Sequence, residues 1–92
     1  MNIVRESPRG LKFSITGNTE RSTITLIGSG SPPKKIETSH SIDSINQGYF
    51  FWYQGPYIQD AFKIMSASER EFILSGVTPE EWAKLFPPDA DE

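Results

Sequence analysis

The chain has 92 residues, no Cys, one His, 12 acidic and 9 basic residues, and a formal net charge of -3. That length holds one domain and leaves no room for a catalytic domain beside a binding domain. The absence of Cys excludes disulfides and thiolate metal sites and fits a reducing, cytoplasmic setting, and no apolar run approaches the length of a membrane span or secretory leader.

Charge is unevenly spread. Residues 1–48 hold six basic and four acidic residues, while residues 66–92 hold seven acidic residues against Arg70 and Lys84. Ser and Thr crowd the front and aromatics the back. This division predicts a single α+β domain over residues 1–88, β-rich first and helical last, with an acidic tail at 89–92.

In chain order, Ile3 and Val4 offer a first short strand within residues 1–9. Leu11, Phe13 and Ile15 alternate with Lys12, Ser14 and Thr16, and Thr23 to Ile27 is β-branched and nearly alternating. Gly17-Asn18-Thr19-Glu20 supplies turn residues between them. A β-hairpin over residues 10–28 follows, needing further cover for its apolar face. Gly28-Ser29-Gly30-Ser31-Pro32-Pro33 reads as a loop. Lys34–Thr38 suits an edge strand, and the polar stretch to Gln47 reads as loop.

Tyr49-Phe50-Phe51-Trp52-Tyr53 is the most unusual local feature. As a strand over residues 49–54 it points Phe50 and Trp52 to one face and Tyr49, Phe51 and Tyr53 to the other. One face packs on the helices; the other is either core as well or an exposed contact patch, since Tyr and Trp are favoured interface anchors.

Three short helices follow. Ile58, Ala61, Phe62 and Met65 share one helical face between Tyr57 and Met65. Ser66-Ala67-Ser68-Glu69 is a capping box for a helix to Ser75, ended by Gly76. Thr78-Pro79-Glu80-Glu81 is a second box with Pro at N1, and Val77 with Trp82 fits a hydrophobic staple. Pro87-Pro88 ends the last helix. The expected core is Leu11, Phe13, Ile15, Ile24, Leu26, Phe50, Trp52, Ile58, Phe62, Phe72, Ile73, Trp82 and Phe86.

Catalytic signatures are missing. No P-loop, zinc pattern or nucleophile elbow occurs. Gly28-Ser29-Gly30 begins a dinucleotide fingerprint, but Pro33 occupies the third glycine position and no helix is predicted to follow. Ser39-His40-Ser41 with Asp43 are neighbours in a polar loop, whereas triad members converge from separate parts of a fold. Glu69/Glu71 and Glu80/Glu81 lie on short helices, where neighbouring side chains diverge rather than face each other across a cleft. The chain therefore reads as a non-enzyme with no cofactor and no metal. The helix–Gly76–helix spacing matches a helix-turn-helix, yet Pro79-Glu80-Glu81 at the start of the last helix would repel phosphate.

Residues 56–86 carry a further pattern: Ile58-Gln59-Asp60-Ala61-Phe62, then Glu69-Arg70-Glu71-Phe72-Ile73 and Ser75-Gly76, then Pro79-Glu80-Glu81-Trp82. It resembles a pattern in small, mostly uncharacterised bacteriophage proteins. The resemblance covers about a third of the chain and consists of caps and core positions. It implies a phage or mobile-element origin, and by analogy a protein that binds a host or viral protein, including inhibitors of host anti-phage defence.

The expected function is non-enzymatic protein binding. Contacts are assigned to Tyr49, Phe51 and Tyr53 and to the acidic helices through Glu71, Glu80 and Glu81, whose negative field suits a basic protein surface. Two alternatives remain open. One is a single-stranded nucleic-acid binder using the sheet face with Arg9, Lys12, Arg21, Lys34 and Lys35. The other is a virion structural or assembly protein that self-associates through the aromatic face.

Overall fold

The computed structural model describes residues 2–55 and 57–85, Leu85 by its backbone alone. Phe86 and the expected acidic tail lie outside the described residues. The chain forms an α+β fold: a four-stranded antiparallel sheet, then short helices.

The strands are β1 (Asn2–Glu6), β2 (Lys12–Gly17), β3 (Ser22–Leu26) and β4 (Lys35–Thr38), joined as a meander in the order β1-β2-β3-β4. The hairpin over 10–28 and the edge strand at 34–38 are both present. The register aligns four isoleucines in one row across the sheet, Ile3, Ile15, Ile24 and Ile36. Beside them lies the row Arg5, Phe13, Leu26. These rows face the helices, and Phe13, Ile15 and Ile24 are fully buried. Burying each such side chain stabilises the fold by about 1.5–3 kcal/mol. The other face carries Val4, Ser14, Thr25 and Lys35 in one row and Asn2, Thr16, Thr23 and Glu37 in the next. A strict period of two thus separates core from open face.

Local polar bonds set the turns. Asn18 Oδ1 accepts from the N–H groups of Glu20 and Arg21, which closes the β2–β3 turn. In the β1–β2 turn, buried Ser7 donates its N–H to Leu11 O at 2.7 Å and accepts the Leu11 N–H on its hydroxyl.

The aromatic run is not a strand. Residues Ile42–Tyr53 form helix α1, and the expected strand at 49–54 is thereby corrected, together with the loop reading of residues 42–47. Ser41 caps α1, accepting the Ser44 N–H on its hydroxyl at 3.1 Å, and Asp43 lies in the first turn. The Ile42 N–H reaches back to Asn18 O, tying the helix start to the β2–β3 turn. Ile42, Ile45, Tyr49 and Trp52 form the buried stripe at helical spacing. Gly48 joins that stripe, because the ring of Phe62 occupies the space where a Cβ would stand.

Helix α2 (Ile58–Ala61) is a single turn; Phe62 ends it, so the predicted helical face through Met65 is shorter than expected. Phe62 and Met65 are nonetheless buried. Helix α3 (Ala67–Ser75) has the predicted capping box from Ser66 and Glu69, and Gly76 ends it at φ 81°. Helix α4 (Pro79–Leu85) starts with the predicted reciprocal bonds between Thr78 and Glu81. Two ring clusters join the layers. Phe13 meets Phe72 edge-on at 5.4 Å, and Phe62 receives Tyr49 at 5.3 Å and Trp52 at 6.0 Å. Of the expected core, Leu11, Leu26 and Ile58 pack partly buried against it, Trp82 is half-buried, and Phe50 is exposed. Ile36, Ile42, Ile45, Tyr49 and Met65 complete it instead.

Candidate interaction surface

The helical winding of 42–53 redistributes the aromatics. Successive side chains turn by about 100° instead of alternating. Tyr49 and Trp52 point inward, whereas Phe50, Phe51 and Tyr53 are 61%, 48% and 54% exposed. Tyr49 is fully buried and cannot contact a partner, so its assignment as a contact residue is corrected. Phe50, expected in the core, is the most exposed of the five.

The Phe50 and Phe51 rings meet edge-on at 6.0 Å and form a ridge between two grooves. The first, about 430 Å³, lies between α1 and α2 and has Phe51, Ala61 and Ile64 on its walls. Ile64 is itself 54% exposed. The second, about 360 Å³, is lined by Arg5, Asn46, Phe50 and Tyr53. Arg5 anchors this flank, donating from Nε to Asn46 Oδ1 at 2.7 Å and from Nη1 to Val4 O at 2.8 Å. Partial burial raises the Tyr53 hydroxyl's pKa, with Glu6 adding to the effect and Arg5 opposing it. The ridge therefore carries large apolar surface, one phenol, and both charge signs at its margin. Tyr57, at the start of α2, is 75% exposed.

The Tyr49 hydroxyl is buried without a hydrogen-bond partner. Burial pushes its pKa well above the usual tyrosine value near 10. The phenol is therefore a neutral core group.

The acidic residues do not join the ridge as one site. Glu71 accepts from the Ser75 hydroxyl on its own helix. Glu80 is exposed at the start of α4. Glu81 closes the Thr78 box and pairs with Lys34 at 3.1 Å. The Thr78 N–H bond, and then Lys34, hold its carboxyl below the usual range.

The remaining candidate groups are occupied or apart. Ser41 is a cap, Asp43 is exposed on α1, and His40 Nε2 stands 4.0 Å from Glu69 Oε1. Among the described residues no three His, Asp or Glu side chains cluster for a metal, and no helix is long and apolar enough to cross a membrane. Arg9 and Arg21 lie at opposite ends of the hairpin, and Lys34 is paired with Glu81. The open sheet face presents hydroxyls rather than aromatics, so the stacking platform expected of a single-strand binder is not on the sheet.

Comparison with family models, with curated proteins and with solved structures gives no match.

Period two over residues 49–53 places Phe50 in the core, whereas the helical winding of α1 puts it on the surface. The signal was present in the sequence. Ser41 stands as an N-cap before Ile42, Ile45, Tyr49 and Trp52 at helical spacing.

Proposed function

We propose that this protein is a non-enzymatic protein-binding module whose contact surface is the exposed ridge of α1. The observation that carries the reading is the exposure of Phe50, Phe51 and Tyr53 together, at 61%, 48% and 54%. Large aromatics left in water on a small domain mark interaction sites, and Tyr and Trp anchors concentrate binding energy. The two flanking grooves give a partner's side chains somewhere to enter. In keeping with the phage-like pattern of residues 56–86, the partner is a host or viral protein, and a specific form of the reading is inhibition of a host anti-phage defence protein. Glu80, exposed on α4, contributes a secondary acidic contact.

Capture from nuclease-treated bacterial lysate tests the reading, using the native chain and a Phe50→Ser/Tyr53→Ser variant. A protein retained by the native chain and lost by the variant supports it. Identical capture by both, or capture that vanishes with nuclease, contradicts it.

A further inference from the structure

β4 is one free edge of the sheet. The Leu26 N–H donates to Lys34 O at 2.8 Å, and the register pairs Ile24 with Ile36 and Ser22 with Thr38. The even-numbered residues of this strand therefore bond to β3. In an antiparallel ladder a residue's N–H and C=O point to the same side. Lys35 and Glu37 thus direct their backbone groups outward. Their side chains stand exposed on the open face, and neither has an ion-pair partner among the described residues. A groove of about 570 Å³ lies beside the strand, with Lys35, Ile36 and Glu37 on one wall and Thr78, Pro79 and Glu80 on the other.

We propose that β4 pairs with β4 of a second copy of this chain, antiparallel and two-fold symmetric about Ile36. Lys35 then faces Glu37 of the second copy, and Glu37 faces its Lys35. Each pair exchanges both backbone bonds, and each places opposite charges across the strand boundary. Charge also selects the register. Sliding the strands by two residues one way sets Lys35 against Lys35, and the other way sets Glu37 against Glu37. Both slips put like charges directly opposite, which is unfavourable. The product is a continuous antiparallel sheet through both copies with all helices on one face. The ridge of α1 has no part in this pairing.

Charge reversal with rescue tests the proposal, read by sedimentation over a wide concentration range. The native chain is expected to dimerise. Lys35→Glu and Glu37→Lys each set like charges opposite twice and weaken the dimer by about tenfold. An equimolar mixture of the two variants, or the double variant Lys35→Glu/Glu37→Lys, recovers association. Thermal melts check that each variant folds. A native chain that stays monomeric, single variants that dimerise like the native chain, or no recovery on mixing would each overturn the proposal.

Discussion

The ring of Phe62 stands where a side chain on Gly48 would be. A β-carbon on Gly48 would lie 2.3 Å from Phe62 Cε1 and 2.5 Å from Cδ1. Glycine is a poor residue for a helix interior, yet here it lets α1 approach the ring that also receives Tyr49 and Trp52. With Gly48, Tyr49 and Trp52 on the buried side of α1, Phe50, Phe51 and Tyr53 are left on its exposed side.

Gly48→Ala is therefore expected to destabilise the fold by about 1–3 kcal/mol, although alanine favours helix by about 1 kcal/mol. Chemical denaturation measures the change. A second substitution, Phe62→Leu, should make Gly48→Ala less harmful than it is in the native background. A Gly48→Ala variant as stable as the native chain would show that α1 does not rest on Phe62.

Tyr49→Phe removes a buried hydroxyl that has no partner. Its effect at neutral pH should be neutral or stabilising, by up to about 1 kcal/mol, because no hydrogen bond is lost. The pH dependence gives a second readout. Burial raises the folded pKa above the unfolded value near 10. The folded state therefore keeps a proton that the unfolded state releases, and stability falls as pH rises above 10, by about 1.4 kcal/mol per unit for this group. Denaturation of the Tyr49→Phe variant should show a shallower alkaline decline than the native chain.

The capping boxes are open to direct test. Ser66→Ala removes the acceptor for the Glu69 N–H and should cost about 1 kcal/mol. Glu81 has the opposite pH sense to Tyr49. Its folded pKa is depressed by the Thr78 N–H and by Lys34, so its contribution is present above the usual carboxylate value and lost as pH falls through the folded one. Glu81→Gln should flatten the acid side of the stability profile, as read by thermal melts from neutral to acid pH.

Much of the architecture was legible because its determinants are local. Asn18, Ser66 with Glu69, Gly76, and Thr78 with Glu81 bond within a few residues of themselves, so the chain order reveals them. The alternation of Phe13 and Ile15 with Ser14 and Thr16 likewise maps onto the two sheet faces. The aromatic run was misread because aromatics favour strands and a doubly covered strand also accounts for their number. The cap at Ser41 and the helical spacing of Ile42, Ile45, Tyr49 and Trp52 are local signals for the helix, whereas the close approach of Gly48 to Phe62 joins residues from different elements and leaves no local trace. The site shifted accordingly. Phe51 and Tyr53 are on the surface, but through helical winding, while Tyr49 exchanged places with Phe50.

The surface reading also predicts separability. Phe50→Ser and Tyr53→Ser remove exposed side chains, so together they should change stability by no more than about 0.5 kcal/mol each. Loss of the fold in this variant, seen by circular dichroism, would place these rings in the core instead.

Site-specific photocrosslinking asks whether the α1 ridge itself touches a protein. A photoreactive phenylalanine analogue replaces Phe50 on the ridge or, as a control, Ile27, which is 48% exposed outside it. Each labelled protein is irradiated in nuclease-treated bacterial lysate and its adducts are identified by mass spectrometry. A discrete protein adduct is expected from position 50 and not from position 27. Equal, diffuse labelling from both positions, or no adduct from position 50, would contradict the ridge's role as the contact surface.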